Sequence, residues 1–271
     1  LDVTFIALTL GVFVGIVLGL TGSGGAILSV PLLGFFLHLS IAQAAPIGML
    51  AVTLSAGLGA ILGFKAKILR YKAALLISSF GLIASPLGIY LARQLPNWIL
   101  ATTFSIVLLW VSHSTWLRSK KEIQGIADSV GQHCLLDETV GKLTWTLLCA
   151  RVMALSGVFA GFFSGLLGVG GGFIIVPALK KFTDLPMNAI IATSLGVLAI
   201  VSMGGVLFSN FYGAVNWPIA LPFTGGSIIG LLIGRTMVKS FSGPRVLQSF
   251  SVLAFLISIA MLIKLAKFSF N

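Results

Sequence analysis

The stretch GLTGSGGAILSVPLL, Gly19 to Leu33, returns 146 residues later as GLLGVGGGFIIVPAL, Gly165 to Leu179, with eight of fifteen positions identical and Pro31 falling on Pro177. The same register extends outward. Gly11 and Gly15 fall on Gly157 and Gly161, and farther along Gly59 meets Gly205 and Gly88 meets Gly234. Spaced glycines and a proline holding one offset across half a chain mark an internal repeat, and a repeat constrains the architecture before any single motif is read.

The composition says which solvent surrounds the repeat. Of 271 residues, 58% are hydrophobic and 8% charged, where about a quarter of a soluble domain is charged. At roughly 20 apolar residues per span, that content suits about eight to ten membrane segments. It excludes a soluble enzyme, a disulfide scaffold and a disordered tail. Cys134 and Cys149 carry no information about redox compartment. The net charge of +11 does not gather into one basic domain; Lys and Arg sit in small groups between apolar stretches, as topology signals do, so no nucleic-acid partner is expected.

The apolar stretches lack period-2 alternation and are rich in Leu, Ile, Ala and Gly, which favours helices over the strands of an outer-membrane barrel. Ten segments are expected at 3–20, 25–37, 44–63, 73–92, 98–117, 147–166, 172–182, 188–208, 217–238 and 246–266. The second and seventh are too short to cross roughly 30 Å of hydrocarbon, and each follows a glycine cluster. Asp2 is the one charge before the first segment, which therefore lacks the basic start of a signal peptide. A chain that opens on Leu1 is expected to have been trimmed. The polar stretch with Lys120, Lys121, Glu122, Asp128, Asp137 and Glu138 reads as a linker. The expected organisation is a first repeat over 1–117, a linker over 118–146 and a second repeat over 147–271.

Five segments per half is an odd number, so the second copy enters the membrane from the opposite side and the repeats are inverted. The charges agree. Lys65, Lys67, Arg70 and Lys72, then Arg118, Lys120 and Lys121, then Lys180 and Lys181, then Arg235, Lys239 and Arg245 all fall on one face, the cytoplasmic one by the positive-inside rule. The expectation is a multi-pass protein of the cytoplasmic (inner) membrane with the 118–142 linker inside and both termini outside. Lys264 and Lys267 argue mildly against the last point. Trp98, Trp110, Trp116, Trp145 and Trp217 fit interfacial anchoring.

A helix that begins inside a membrane presents unpaired N–H groups and about half a positive charge at its first turn. Gly22, Ser23, Gly24 and Gly25 mark one such start, and Gly168, Val169, Gly170 and Gly171 the other. Inverted symmetry points the two starts toward one another near mid-membrane, where backbone N–H groups with the hydroxyls of Thr21 and Ser23 suit a small oxyanion. Helix packing alone accounts for Gly11, Gly15, Gly19 and their copies. GVGGG lacks the Gly-Lys-Ser/Thr ending of a phosphate-binding loop. Thr193 and Ser194 are candidate donors in the second half, where the first half has Ile47 and Gly48, and Gln43 and Asn188 form a second tier. Pro31 and Pro177, inside the short helices, are candidate gating positions.

The six carboxylates lie at ends or in loops, so neither a carboxylate proton relay nor a sodium site built on Asp or Glu is expected. No metal or other cofactor is expected, because His38, His113 and His133 have no Cys or Asp at ligand spacing. The membrane potential alone, at about 2.3 kcal/mol per charge per 100 mV, favours export of a monovalent anion. From the residues alone the chain is a carrier or a passive channel for a small anion between inverted halves, or a scaffold subunit whose glycines only pack helices.

The paired glycine stretches, with their double G-x-G-G…V-P pattern, resemble the TauE/SafE-like family of sulfite and organosulfonate exporters, and the resemblance spans nearly the whole chain. NAIIATSLGV, Asn188 to Val197, also resembles the family's second-half stretch, whereas its counterpart APIGMLAVTL, Ala45 to Leu54, has drifted. The resemblance implies a non-enzymatic transporter of small sulfur oxyanions, usually an exporter. Sulfur enters through it alone.

Overall fold

The computed structural model describes residues 3–124, 136–137, 142–143, 146–210, 215–237 and 243–269. All ten expected segments are helices: α1 (Val3–Thr21), α2 (Gly24–Phe36), α3 (Ile41–Lys65), α4 (Tyr71–Gln94), α5 (Asn97–Ile123), α6 (Leu147–Leu167), α7 (Gly172–Phe182), α8 (Met187–Asn210), α9 (Trp217–Met237) and α10 (Gly243–Ser269). The linker adds one pair of two-residue antiparallel strands, β1 (Leu136–Asp137) and β2 (Lys142–Leu143). Eight of the helices are long and apolar enough to cross a membrane. The short ones are α2, at 13 residues, and α7, at 11.

Local chemistry explains where the boundaries differ from the sequence reading. α3 starts three residues early because Ser40 and Gln43 form a capping box: the Ser40 hydroxyl accepts from the Gln43 N–H and the Gln43 side chain accepts from the Ser40 N–H. α5 runs on to Ile123, past the apolar stretch. Trp110 lies near the middle of α5 and is exposed there, so it is not an interfacial anchor.

Glycine decides which helices touch. A Cβ at Gly11 or Gly15 of α1 would drive into the carbonyl oxygen of Phe223 or Ser227 of α9. A Cβ at Gly157 or Gly161 of α6 would drive into that of Ile77 or Gly81 of α4. Each residue of one set lies 146 positions from its counterpart in the other. In both pairs the contacts advance together along the two chains, so the helices are parallel and backbones approach as only small residues permit.

α3 and α8 run the other way past each other, with Gly63 beside Ala192, Gly59 beside Leu195 and Met49 beside Gly205. α5 and α10 are likewise antiparallel: Ser112 Oγ donates to the Ser251 carbonyl at 2.8 Å and Ser258 Oγ to the Ser105 carbonyl at 2.9 Å. Buried hydroxyls take these partners because hydrocarbon offers none. The outward surfaces, such as Ile83, Leu87 and Tyr90 on α4, are exposed and apolar. α2 and α7 contact one another, and each also packs on the helices before and after it in the chain.

Candidate functional site

Two breaks in the chain define the site. Gly22 and Gly168, at φ +75° and +73°, end α1 and α6 in the left-handed region, which costs a residue with a Cβ roughly 1–2 kcal/mol. Each sends its N–H back to a carbonyl four residues earlier, Leu18 or Ser164, at 2.8 Å. The second break stays left-handed at Gly170 and Gly171, at φ +69° and +71°, whereas Ser23 is at φ −156°.

The two helix starts also differ in their caps. Thr21 Oγ1 donates to the Val17 carbonyl at 2.7 Å and accepts the Gly24 N–H at 2.8 Å, so the first turn of α2 is partly satisfied. Gly171 caps α7 without a side-chain hydrogen bond. The opening N–H groups of α7 are therefore the better supplied for an anion, with the positive end of the helix dipole behind them.

The breaks meet. A Cβ at Gly172 would lie 2.8 Å from the Cβ of Ser23, so the start of α7 abuts the residue that precedes α2. Thr21, Gly22, Ser23, Gly24 and Gly25 are all buried, as are Gly168, Val169, Gly170 and Gly171. Within the clusters, Gly25 and Gly171 serve packing: a Cβ at either would strike the carbonyl oxygen of Val14 or Ala160.

The candidates on α8 divide. Ser194 Oγ donates to the Gly22 carbonyl at 3.2 Å and to that of Ile191 at 2.9 Å, tying α8 to the first break. Thr193 instead donates to the Ala189 carbonyl at 2.6 Å and accepts the Arg70 N–H at 3.1 Å, bracing the start of α4. Gln43 is an exposed cap of α3, and Asn188 is exposed in the first turn of α8. Pro31 is buried in α2, and Pro177 is half-buried in α7.

Ser202 was missed by sequence reasoning. It is fully buried in α8, its Oγ has no hydrogen-bond partner among the described residues, and a Cβ at Gly170 would lie 2.7 Å from that oxygen. Other unpartnered hydroxyls, those of Ser85, Ser164 and Thr224, belong to α4, α6 and α9. No motif marks Ser202, but counting by fours from Ser194 through Leu198 along one helix face leads to it.

Two cavities approach the short helices from opposite ends. One of about 940 Å³ is lined by Val30, Pro31, His38, Asn97, Thr102 and Lys264, among others. The second, of about 50 Å³, reaches the first break at Thr21, Ser23 and Gly24 and opens beside Arg118 and Lys180. They are counterparts at the 146-residue offset: Val30 and Pro31 of the first correspond to Val176 and Pro177 of the second, and Lys264 corresponds to Arg118.

A comparison of sequences agrees with this geometry. The family described as sulfite exporter TauE/SafE matches residues 7–261. The chain belongs to this family. Among relatives, it is 27% identical over 259 residues to the probable membrane transporter protein YunE of Bacillus subtilis, covering 93% of this chain and 94% of the relative. It is 30% identical over 240 residues to a probable membrane transporter protein of Xylella fastidiosa, covering 87% and 85%. A relative from Methanocaldococcus jannaschii, also named a probable membrane transporter protein, is 27% identical over 244 residues. No solved structure matches. The chain is thus a multi-pass membrane protein of TauE/SafE transporter type, and the paired breaks are the candidate site of such a protein.

Proposed function

We propose that the chain is a secondary carrier exporting a small sulfur oxyanion, sulfite or an organosulfonate, across the cytoplasmic membrane. The anion binds where the breaks meet. Backbone N–H groups from Gly170 to Gly172 and near Gly25 face it, with Ser23 and Ser202 as hydroxyl donors; Thr21 and Ser194 hold the breaks in place. Fixed N–H dipoles suit an oxyanion in a low-dielectric setting because they need no reorganisation when it arrives.

The observation that carries this reading is the approach of Gly172 to Ser23, since helix starts that lay apart could not share one ligand. Alternating access follows from the inverted arrangement, with halves 1–117 and 147–271 joined by the linker. The antiparallel packing of α3 on α8 and of α5 on α10, each pair made of repeat counterparts, supports that arrangement. The basic loops place the narrow cavity at the cytoplasmic end and the wide one outside. Unequal cavities on counterpart residues favour a carrier, caught with one side closed, over an open pore.

Purified protein in liposomes loaded with sulfite tests the reading. Saturable efflux with counterflow is expected, and it should weaken when Gly170 is replaced by Val. Resolvable single-protein currents would make the chain a channel, and no flux of any sulfur oxyanion would leave it a scaffold.

A further inference from the structure

Resting on the carrier reading above, we propose that Arg118 and Lys180 form a loading site for dianionic oxyanions at the mouth of the narrow cavity, distinct from the breaks to which it leads. Both side chains line that cavity and both are half-buried. Its other polar lining consists of hydroxyls, those of Thr21, Ser23, Ser114 and Thr115, and no carboxylate is among the described lining residues. Burial and the neighbouring Arg118 guanidinium hold the Lys180 ammonium below the usual lysine range.

The wide cavity supplies an internal control. Its counterpart of Arg118 is Lys264, but its counterpart of Lys180 is Gly34. Lys264 directs its ammonium to the Gly34 carbonyl at 3.2 Å and lies 5.3 Å from the centre of the Phe35 ring. One mouth therefore holds a single cation turned onto protein, and the other holds two cations that repel each other across a small volume.

Like charges confined together are stabilised by an anion between them. A dianion offsets both; a monoanion leaves one uncompensated. The site thus selects dianionic sulfite, or a sulfonate that also carries a carboxylate such as sulfoacetate, over a simple monoanionic sulfonate. From this mouth the hydroxyls of Ser23 and Thr21 lead to the start of α2.

The test compares sulfoacetate with methanesulfonate in oriented proteoliposomes, for the wild type, Lys180→Gln, Lys180→Arg and Arg118→Gln. Losing one charge-assisted contact should raise KM for sulfoacetate about tenfold when it is offered from the Arg118 face. The KM from the opposite face and the KM for methanesulfonate should hold, and Lys180→Arg should retain wild-type behaviour. A rise that is equal on both faces or for both anions, or no rise, overturns the loading site. Calorimetry of sulfoacetate on purified protein separates the two readings. Binding lost in Lys180→Gln by a wild type that moves no sulfur oxyanion would keep the site and sink the carrier. Unchanged binding in a transporting protein would do the reverse.

Discussion

Ser194 of α8 donates its hydroxyl to the carbonyl oxygen of Gly22, 172 positions earlier in the chain, at 3.2 Å. This bond joins the halves at the first break and satisfies a carbonyl that the left-handed turn leaves without a helical partner. At the second break the counterpart of Ser194 is Gly48, and the Gly168 carbonyl lies 3.5 Å from where its Cβ would be. Backbone thus comes close in one copy where a side chain donates in the other. Ser194→Ala would strand the Gly22 carbonyl in a buried site, at a cost of about 1–3 kcal/mol. Thermal unfolding in detergent should drop by several degrees, and sulfite efflux should fall with it.

Ser202 should behave oppositely on stability. Its hydroxyl has no partner to lose among the described residues, so Ser202→Ala should leave thermal unfolding unchanged or raise it slightly. If the hydroxyl meets the anion, the same change should weaken sulfite binding by roughly tenfold, the worth of one hydrogen bond to a charged group. Calorimetry and thermal denaturation on one preparation read both effects. Wild-type affinity would remove Ser202 from the site.

The helices and their register were legible in the sequence because hydropathy fixes spans and glycine fixes close approach. Gly11, Gly15, Gly157 and Gly161 each face a backbone carbonyl of the counterpart partner helix. The hydroxyls were not legible. Thr193 and Ser194 are adjacent in one motif-like stretch, yet a rotation of about 100° between neighbours on a helix sends one to Arg70 and Ala189 and the other to Gly22. Ser202 lay beyond that stretch and drew no notice, since a lone Ser in a membrane helix ordinarily bonds its own preceding turn. Gln43 has the chemistry of a ligand and the position of a cap; only the capping box reveals which role it fills.

The orientation inferred from the basic loops has a direct test. In a background with Cys134 and Cys149 replaced, a cysteine at Lys67, in the turn between α3 and α4, should react with a membrane-impermeant maleimide only from the cytoplasmic side. One at Asn97, where α5 begins and the wide cavity opens, should react only from outside. Reversed labelling would exchange the two mouths, and the Arg118 and Lys180 site would then face the exterior.

Pro31 and Pro177 occupy counterpart places in the two short helices and line counterpart cavities. Proline lacks the N–H that would close an i→i−4 bond, so α2 cannot bond the Ile27 carbonyl through residue 31, nor α7 the Phe173 carbonyl through residue 177. A helix missing that bond bends at lower cost, and here the bend falls beside a cavity that is wide at one end of the molecule and nearly closed at the other. If carrier turnover exchanges those widths, each short helix must flex once per cycle. Alanine at both positions restores the missing bonds and stiffens the helices. The Pro31→Ala, Pro177→Ala double variant should therefore bind sulfite with near-wild-type affinity but release it about tenfold more slowly, equivalent to roughly 1.4 kcal/mol on the rate-limiting step. Stopped-flow efflux reads the rate and equilibrium binding reads the affinity. A normal rate in the double variant would show that the gate lies elsewhere.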